Sequence, residues 1–165
     1  MPDFTFTHRP LETSDLPALC SFPRTAEELF FMFPKANWPV TPGQLGEAAA
    51  QRREPTVFLC DETIAGYANI LAWEHGNFCE AGNVVVAPAM RRRGLASHMM
   101  QTMEVKARDN YAARRLKVSC FSMNVGGLLL YSRLGFLPTG IAPRNGPNGA
   151  PHALIHLEKN IPGVS

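Results

Sequence analysis

The chain has 165 residues, 45% of them hydrophobic and 18% charged, enough to bury one core and too apolar for an intrinsically disordered chain. No apolar run approaches the ~18 residues that a membrane-spanning helix needs, and Met1-Pro2-Asp3-Phe4-Thr5 lacks the basic start of a secretion signal. A formal net charge of +2 is too small for a general nucleic-acid binder, so the basic residues matter only where they cluster.

Cys20, Cys60, Cys79 and Cys120 stand far apart with no C-x-x-C pair. Free thiols, a cytoplasmic location and the absence of a metal site are the expectations. His75 and Cys79 are the nearest approach to a ligand pair, and one pair does not make a zinc site. Neither a repeat nor a linker interrupts the chain, so residues 1–165 read as a single domain.

In chain order, Phe4-Thr5-Phe6-Thr7-His8 alternates as a half-buried strand does. Thr13 or Ser14 caps a short helix reaching Cys20, with Pro17 in its first turn. Thr25 and Glu28 have capping-box spacing and open a helix that Pro34 stops. Thr41 and Gln44 open another, running to about Arg53. After Pro55 come strands: Thr56 to Cys60, a turn at Asp61-Glu62-Thr63, Ile64 to Trp73, a turn at Glu74-His75-Gly76-Asn77, and Phe78 to Val86. A helix from about Gly94 to Asp109 carries an apolar stripe at Ala96, Met99, Met100, Met103 and Ala107. Leu116 to Phe121 is a strand, Val125 to Leu134 a helix with Gly135 as its C-cap, and Phe136-Leu137 and Ala153 to Leu157 are further strands. Between them Pro143-Arg144-Asn145-Gly146-Pro147-Asn148-Gly149 reads as a long loop. Hairpins first and strand–helix alternation later predict a mixed sheet, antiparallel early and parallel around the strand ending at Val86.

That strand and the helix after it carry the main chemical signal. Val84-Val85-Val86 is the β-branched run of a strand covered on both faces. It leads through Ala87-Pro88-Ala89-Met90 into Arg91-Arg92-Arg93-Gly94-Leu95-Ala96-Ser97, where the helix begins. A helix N-terminus leaves N–H groups without partners and bears partial positive charge. Gly94 and Ala96 let an anion approach the main chain, and three arginines add charge. These features predict a pyrophosphate cradle, although a solvated basic turn has the same composition. Neither the dinucleotide Gly-x-Gly-x-x-Gly fingerprint nor a Walker loop is present. Further on, Asn124 precedes a helix, Tyr131 follows it, and Gly135-Phe136 closes the segment. Read alone, these are an N-cap, a core aromatic and a helix stop.

Together the two segments resemble the GCN5-related N-acetyltransferase superfamily. Arg91-Arg92-Arg93-Gly94-Leu95-Ala96 matches its signature after the central strand, and Asn124, Tyr131, Gly135 and Phe136 match its second. Arg9 and Asp15 look like its opening. Gly126-Gly127 departs from it, standing where the family more often has alanine, a change expected to loosen the helix turn. The resemblance implies a single-domain α/β (α+β type) fold: a mixed sheet of about six to seven strands flanked by helices, with parallel strands splayed at an acetyl-CoA site. It further implies acetyl transfer from acetyl-CoA to an amine, without a metal, a membrane or nucleic acid, and leaves homodimerisation open. By its pattern the amides from about Arg92 to Ser97 hold the CoA pyrophosphate and Arg91 assists. Val84 and Val86 bond the pantetheine arm through their main chain, Asn124 contacts that arm, and Tyr131 faces the thioester sulfur.

The chemistry then needs three things. A lysine-like amine has a pKa of ~10.4 and must lose a proton to attack, which calls for a base. Glu80, near the start of the central strand, is the candidate, with His75 a weaker one and a strand-edge carboxylate in solvent the plainer reading of Glu80. The oxyanion that forms needs a donor, and the N–H of Val85 or Val86 is placed for it. The thiolate leaving group needs a donor too. A thiol has a pKa of ~8.5 and tyrosine of ~10, so Tyr131 reads as a hydrogen-bond donor to sulfur rather than a full acid. Direct attack needs no acyl intermediate on Cys120, which reads as a small buried hydrophobe.

For the acceptor, Phe30, Phe31, Phe33 and Trp38 gather aromatics between the early helices, and Phe30, Phe31 and Trp38 are candidate walls of a pocket for an amine's alkyl part. Ordinary core packing accounts for the same residues. A non-catalytic acetyl-CoA-binding module and a transferase using another acyl-CoA are the alternatives, and Tyr131 favours an enzyme because a binder needs no donor facing sulfur.

Overall fold

The structure is a computed structural model and describes residues 3–163. Seven strands form one sheet: β1 (Phe6–Pro10), β2 (Arg53–Cys60), β3 (Thr63–Glu74), β4 (Phe78–Val86), β5 (Arg115–Phe121), β6 (Leu137–Asn145) and β7 (Pro151–Asn160), in the spatial order β1-β2-β3-β4-β5-β7-β6. Five α-helices join them: α1 (Leu16–Cys20), α2 (Ala26–Met32), α3 (Pro42–Ala50), α4 (Leu95–Tyr111) and α5 (Val125–Arg133). The mixed sheet is the one the sequence implies. β1 to β4 pair antiparallel in succession, and β4 with β5 is the parallel pair. A parallel neighbour needs a crossover, and α4 supplies it.

Local chemistry sets most boundaries. Asp61 and Glu62, the two residues between Cys60 and Thr63, both have positive φ (47° and 71°), the tight turn that matches strand twist. The hydroxyl oxygens of Thr25 and Thr41 accept from the N–H of Glu28 and Gln44, at 3.1 and 3.3 Å, and start α2 and α3. Gly135, at φ 91°, follows α5 in the left-handed conformation.

Three expectations change. The first helical turn is 3-10, Thr13–Asp15, and is capped by Glu12 rather than by Thr13 or Ser14. Asp15 fixes it there: its carboxylate accepts from the Glu12 N–H at 2.8 Å and from both Arg9 guanidinium nitrogens at 2.7 and 2.8 Å. α3 ends at Ala50, because β2 already begins at Arg53. Pro55 fits within β2 because the register shifts between Arg53 and Thr56, and a bulge tolerates a residue without a donor. The long loop of residues 143–149 is instead part of a β6–β7 hairpin, with Pro143 opposite Ala153 and Asn145 opposite Pro151. β6 is the sheet's edge and Pro151 the first residue of β7, the two places where strand prolines cost least.

Each face of the sheet buries its own core. Met99, Met100, Met103 and Ala107 of α4 pack on Phe58, Ile70, Leu116 and Val118. On the other face Leu16, Leu19, Leu29 and Leu45 of α1–α3 cover Val57, Tyr67 and Val85. All four cysteines are free thiols. Among the described residues no helix is long and apolar enough to cross a membrane, and no three His, Cys, Asp or Glu side chains are grouped to hold a metal.

Asp15 is 2% exposed, and the Arg9 hydrogen bonds hold its carboxyl below the usual 3.8. Its contribution is therefore present above pH 3.8 and lost as pH falls below that value. Asp15→Ala is expected to lower unfolding stability in urea by about 1–3 kcal/mol at pH 7, and the gap to wild type should close in strong acid. An equal gap at both pH values would contradict this.

Candidate active site

The site begins where a hydrogen-bond ladder stops. β4 and β5 are paired only at Phe78–Arg115, Cys79–Leu116 and Glu80–Lys117, although β4 continues to Val86 and β5 to Phe121. Beyond Glu80 the β5-facing edge of β4 has no strand opposite it, so the main chain from Ala81 to Val86 is open to another partner. A bulge accompanies the parting. Gly82 is opposite Asn69 and Val85 opposite Tyr67, so β4 carries one residue more than β3, and Asn83 takes φ 50°. The Asn83 amide donates to the Met32 carbonyl at the end of α2 at 2.9 Å, and its oxygen accepts from Asn69 at 2.9 Å. This holds the bulge against the helices.

At the far end of β4 the chain turns through a short 3-10 segment, Pro88–Met90, into α4. Gly94 is the N-cap residue at φ 85° and ψ 0°, and no side chain caps the helix. A Cβ at Gly94 would meet nothing within 4 Å. Glycine is therefore needed there for its backbone conformation, as well as for open approach from outside. The first N–H of the helix to find a carbonyl is that of His98, on Gly94. Among the described residues the N–H groups of Arg92, Arg93, Gly94, Leu95, Ala96 and Ser97 have no acceptor outside regular helix bonding. Six donors at a helix start, beside the exposed Arg92 and Arg93, suit a diphosphate. The Arg91 guanidinium lies 2.8 Å from Glu28 Oε1 and ties this loop to α2. Arg93 lies 5.0 Å over the Phe4 ring.

The second signature also assembles. Asn124 Oδ1 accepts from the Gly127 N–H at 3.1 Å and caps α5, which leaves its amide group as a donor. Gly127 does not loosen the turn as expected. An added Cβ would lie 2.8 Å from Asn124 Nδ2 and 2.9 Å from Cys120 Sγ, so glycine is required for close packing. Tyr131 is 6% exposed, edge-on to Phe136 at 5.6 Å. Burial, then the Cys120 sulfur, pushes its hydroxyl well above the ordinary value of 10, so it stays protonated. Burial likewise raises Cys120 to about 11, and a thiol held protonated is a poor nucleophile.

On the opposite face of the sheet Glu80 is the last paired residue before the strands part. Its Oε1 accepts from the Ser119 hydroxyl at 3.0 Å, and the Ser119 oxygen lies 2.8 Å from His156 Nδ1. Two residues along β5, Phe121 stacks on Phe30 of α2 with centroids 4.3 Å apart, and His152 closes the group edge-on at 5.1 Å from Phe30. Phe30 and Trp38 line a cleft of about 280 Å³ that Lys35, Asn37 and Pro147 complete. Phe31 reaches Phe121 at 6.2 Å but does not line that cleft, and His75 sits exposed in the β3–β4 turn. Sequence reasoning missed Ser119, Phe121, His152 and His156. Period-two alternation along β5 puts Ser119 and Phe121 opposite the buried Val118 and Cys120, but His156 enters only through the β5–β7 register.

Comparisons with known proteins give the family and the fold. The acetyltransferase (GNAT) family profile matches residues 22–136. YncA of Salmonella typhimurium, solved with its cofactor acetyl-CoA, superposes with a TM-score of 0.72 at 18% identity, over 98% of this chain and 96% of that one. RimL, a ribosomal alpha-N-protein acetyltransferase solved in complex with coenzyme A, gives 0.76 at 18% identity, over 95% and 94%. An acetyltransferase of the GNAT family from Streptococcus pneumoniae gives 0.69 at 20% identity, over 95% and 100%. At such identities the structures share the fold, and the profile gives the family. The chain belongs to the acetyltransferase (GNAT) family, and acetyl-CoA-dependent acetyl transfer is the activity that membership carries.

Proposed function

We propose that the protein transfers the acetyl group of acetyl-CoA to a primary amine by direct attack, and that the gap between β4 and β5 is where the two meet. One observation carries this reading: the unpaired edge of β4, Ala81 to Val86, leads through a short turn to the N–H corner at residues 92–97. Acetyl-CoA supplies a thioester whose carbonyl carbon accepts the amine. The residues present fit it. The amides of Arg92 to Ser97 bind the diphosphate, with Arg92 and Arg93 near, while Arg91 holds the loop to Glu28. Main-chain groups of Val84 and Val86 bond the pantetheine arm, and the Asn124 amide donates to it.

The N–H of Val85 or Val86 donates to the carbonyl oxygen as negative charge gathers there, a donor worth roughly 3–4 kcal/mol. Glu80 takes the amine proton, directly or through water. Tyr131 donates to the sulfur. A hydroxyl held well above pH 10 by burial gives up its proton even less readily than free tyrosine, so hydrogen bonding rather than prior proton transfer is its role. The cleft lined by Phe30 and Trp38 receives the body of the acceptor, with Phe31 backing the Phe121 wall.

A thiol-release assay with acetyl-CoA over a panel of amines, amino acids and peptide N-termini tests the reaction. Release above the hydrolysis background with at least one primary amine is expected, and its absence across the panel would contradict it. Gly94→Val places a branched side chain at φ 85° and is expected to weaken acetyl-CoA binding about tenfold or more by calorimetry; unchanged affinity would remove the diphosphate corner from the site. Tyr131→Phe should retain acetyl-CoA affinity while kcat falls about tenfold or more, and equal turnover would remove Tyr131 from the mechanism.

A further inference from the structure

Ser119 has one hydroxyl proton and two neighbours that can take it. Glu80 Oε1 is 3.0 Å away and His156 Nδ1 is 2.8 Å away. With Glu80 ionised, the serine proton points to the carboxylate, and His156 Nδ1 must itself carry the proton it shares with the Ser119 oxygen. With Glu80 protonated the chain reverses: the carboxyl donates to the Ser119 oxygen and the serine donates to a bare Nδ1. The second arrangement holds one proton more than the first, on Glu80, and carries the imidazole proton at Nε2 instead of Nδ1.

We infer that Ser119 and His156 form a proton relay that empties Glu80 after it has taken the proton of the acceptor amine. The inference rests on Glu80 acting as the base in the proposed reaction. The proton balance is simple. The ammonium gives one proton to Glu80, and the second proton it loses leaves with the thiolate as the free thiol. His156 exchanges its Nδ1 proton for one at Nε2 through solvent, Glu80 passes a proton to the Ser119 oxygen as Ser119 passes its own to the bare Nδ1, and the imidazolium releases its Nε2 proton to solvent, which restores the Nδ1–H form. Glu80 is again a carboxylate and no charge accumulates.

Position supports the direction. Glu80 is the last residue of β4 paired with β5, at the start of the gap, and all three side chains are half-buried. His156 pairs with Ser119 across β5–β7 and with Gly140 of the edge strand β6, so the imidazole lies on the side away from the gap. Gly140 gives it room: even an added Cβ there would be 3.7 Å from His156 Cδ2. Among the described residues the strands place on the same face Glu80, Glu74 opposite Phe78, Lys117, whose ammonium sits over Phe78 at 4.0 Å, Glu158 paired with Arg115 at 3.1 Å, His152, and Arg144 opposite His152. Of these only Glu80 bonds to Ser119 or His156.

Long-range ¹H–¹⁵N NMR of the full chain tests the coupling without any acceptor, at about pH 9, where an ordinary imidazole is neutral. His156→Gln assigns the signal among the five histidines. In the wild type His156 is expected as the Nδ1–H tautomer. In Glu80→Met the acceptor is gone, the hydroxyl turns to His156, and the tautomer becomes Nε2–H. The same tautomer in both proteins would overturn the relay. Kinetics with the primary amine that gives the fastest thiol release test its use. Ser119→Ala and His156→Gln should each lower kcat about 100-fold at pH 7, leave KM for acetyl-CoA unchanged, and recover toward pH 10 as the amine loses its own proton. Full kcat at pH 7, or a loss that is constant with pH, would overturn it. Failure of the wild type to bind acetyl-CoA would refute the proposed reaction instead, and the tautomer measurement would still read the chain of three.

Discussion

Everything at this site depends on a ladder that stops early. Parallel strands normally satisfy each other's main chain along their whole shared length, and β4 and β5 do so for three residue pairs only. A polar backbone group left without a partner costs about 1–3 kcal/mol once it is desolvated, so the parting has to be held open by something. The bulge at Asn83 is that device. It inserts a residue into β4, turns the strand, and is locked by Asn69 and by the Met32 carbonyl. The open edge is thus a built feature of the sheet, and a ligand chain with amides of its own is the partner it suits.

In the proposed reaction the gap lets one sheet serve two substrates. The helix-start donors and Tyr131 belong to the side covered by α4 and α5, whereas Glu80, Ser119, His156 and the Phe30–Phe121 wall belong to the side of α1–α3. In the proposed reaction the donor to the leaving sulfur and the base for the attacking amine therefore come from opposite sides of the sheet. Burial keeps Tyr131 protonated, while Glu80 accepts from the Ser119 hydroxyl.

What the sequence disclosed follows the range of the interactions. Caps at Thr25 and Thr41, the Asp61-Glu62 turn, the end of β4 at Val86 and the start of α4 at Gly94 are decided within a few residues, and each was readable. Glu12 displaced Thr13 and Ser14 as the cap because Arg9 and Asp15 together fix the turn, which is a three-body arrangement. The motif around Arg91 carries no sign of its ion pair with Glu28, because that partner is 63 residues away. Gly127 read as a weak helix residue because its reason, the nearness of Cys120 and Asn124, is one of packing. Ser119 and His156 stood outside every motif, and only the register of β5 on β7 brings them to Glu80.

The central claim is that the main chain of residues 92–97 and the open edge of β4 hold the cosubstrate. Amide chemical-shift mapping during titration with coenzyme A reads this directly. The largest changes should fall on the N–H groups of Arg92 to Ser97 and of Val84 to Val86, with saturation at one equivalent. Saturable binding that leaves those amides unmoved and shifts another surface would contradict it.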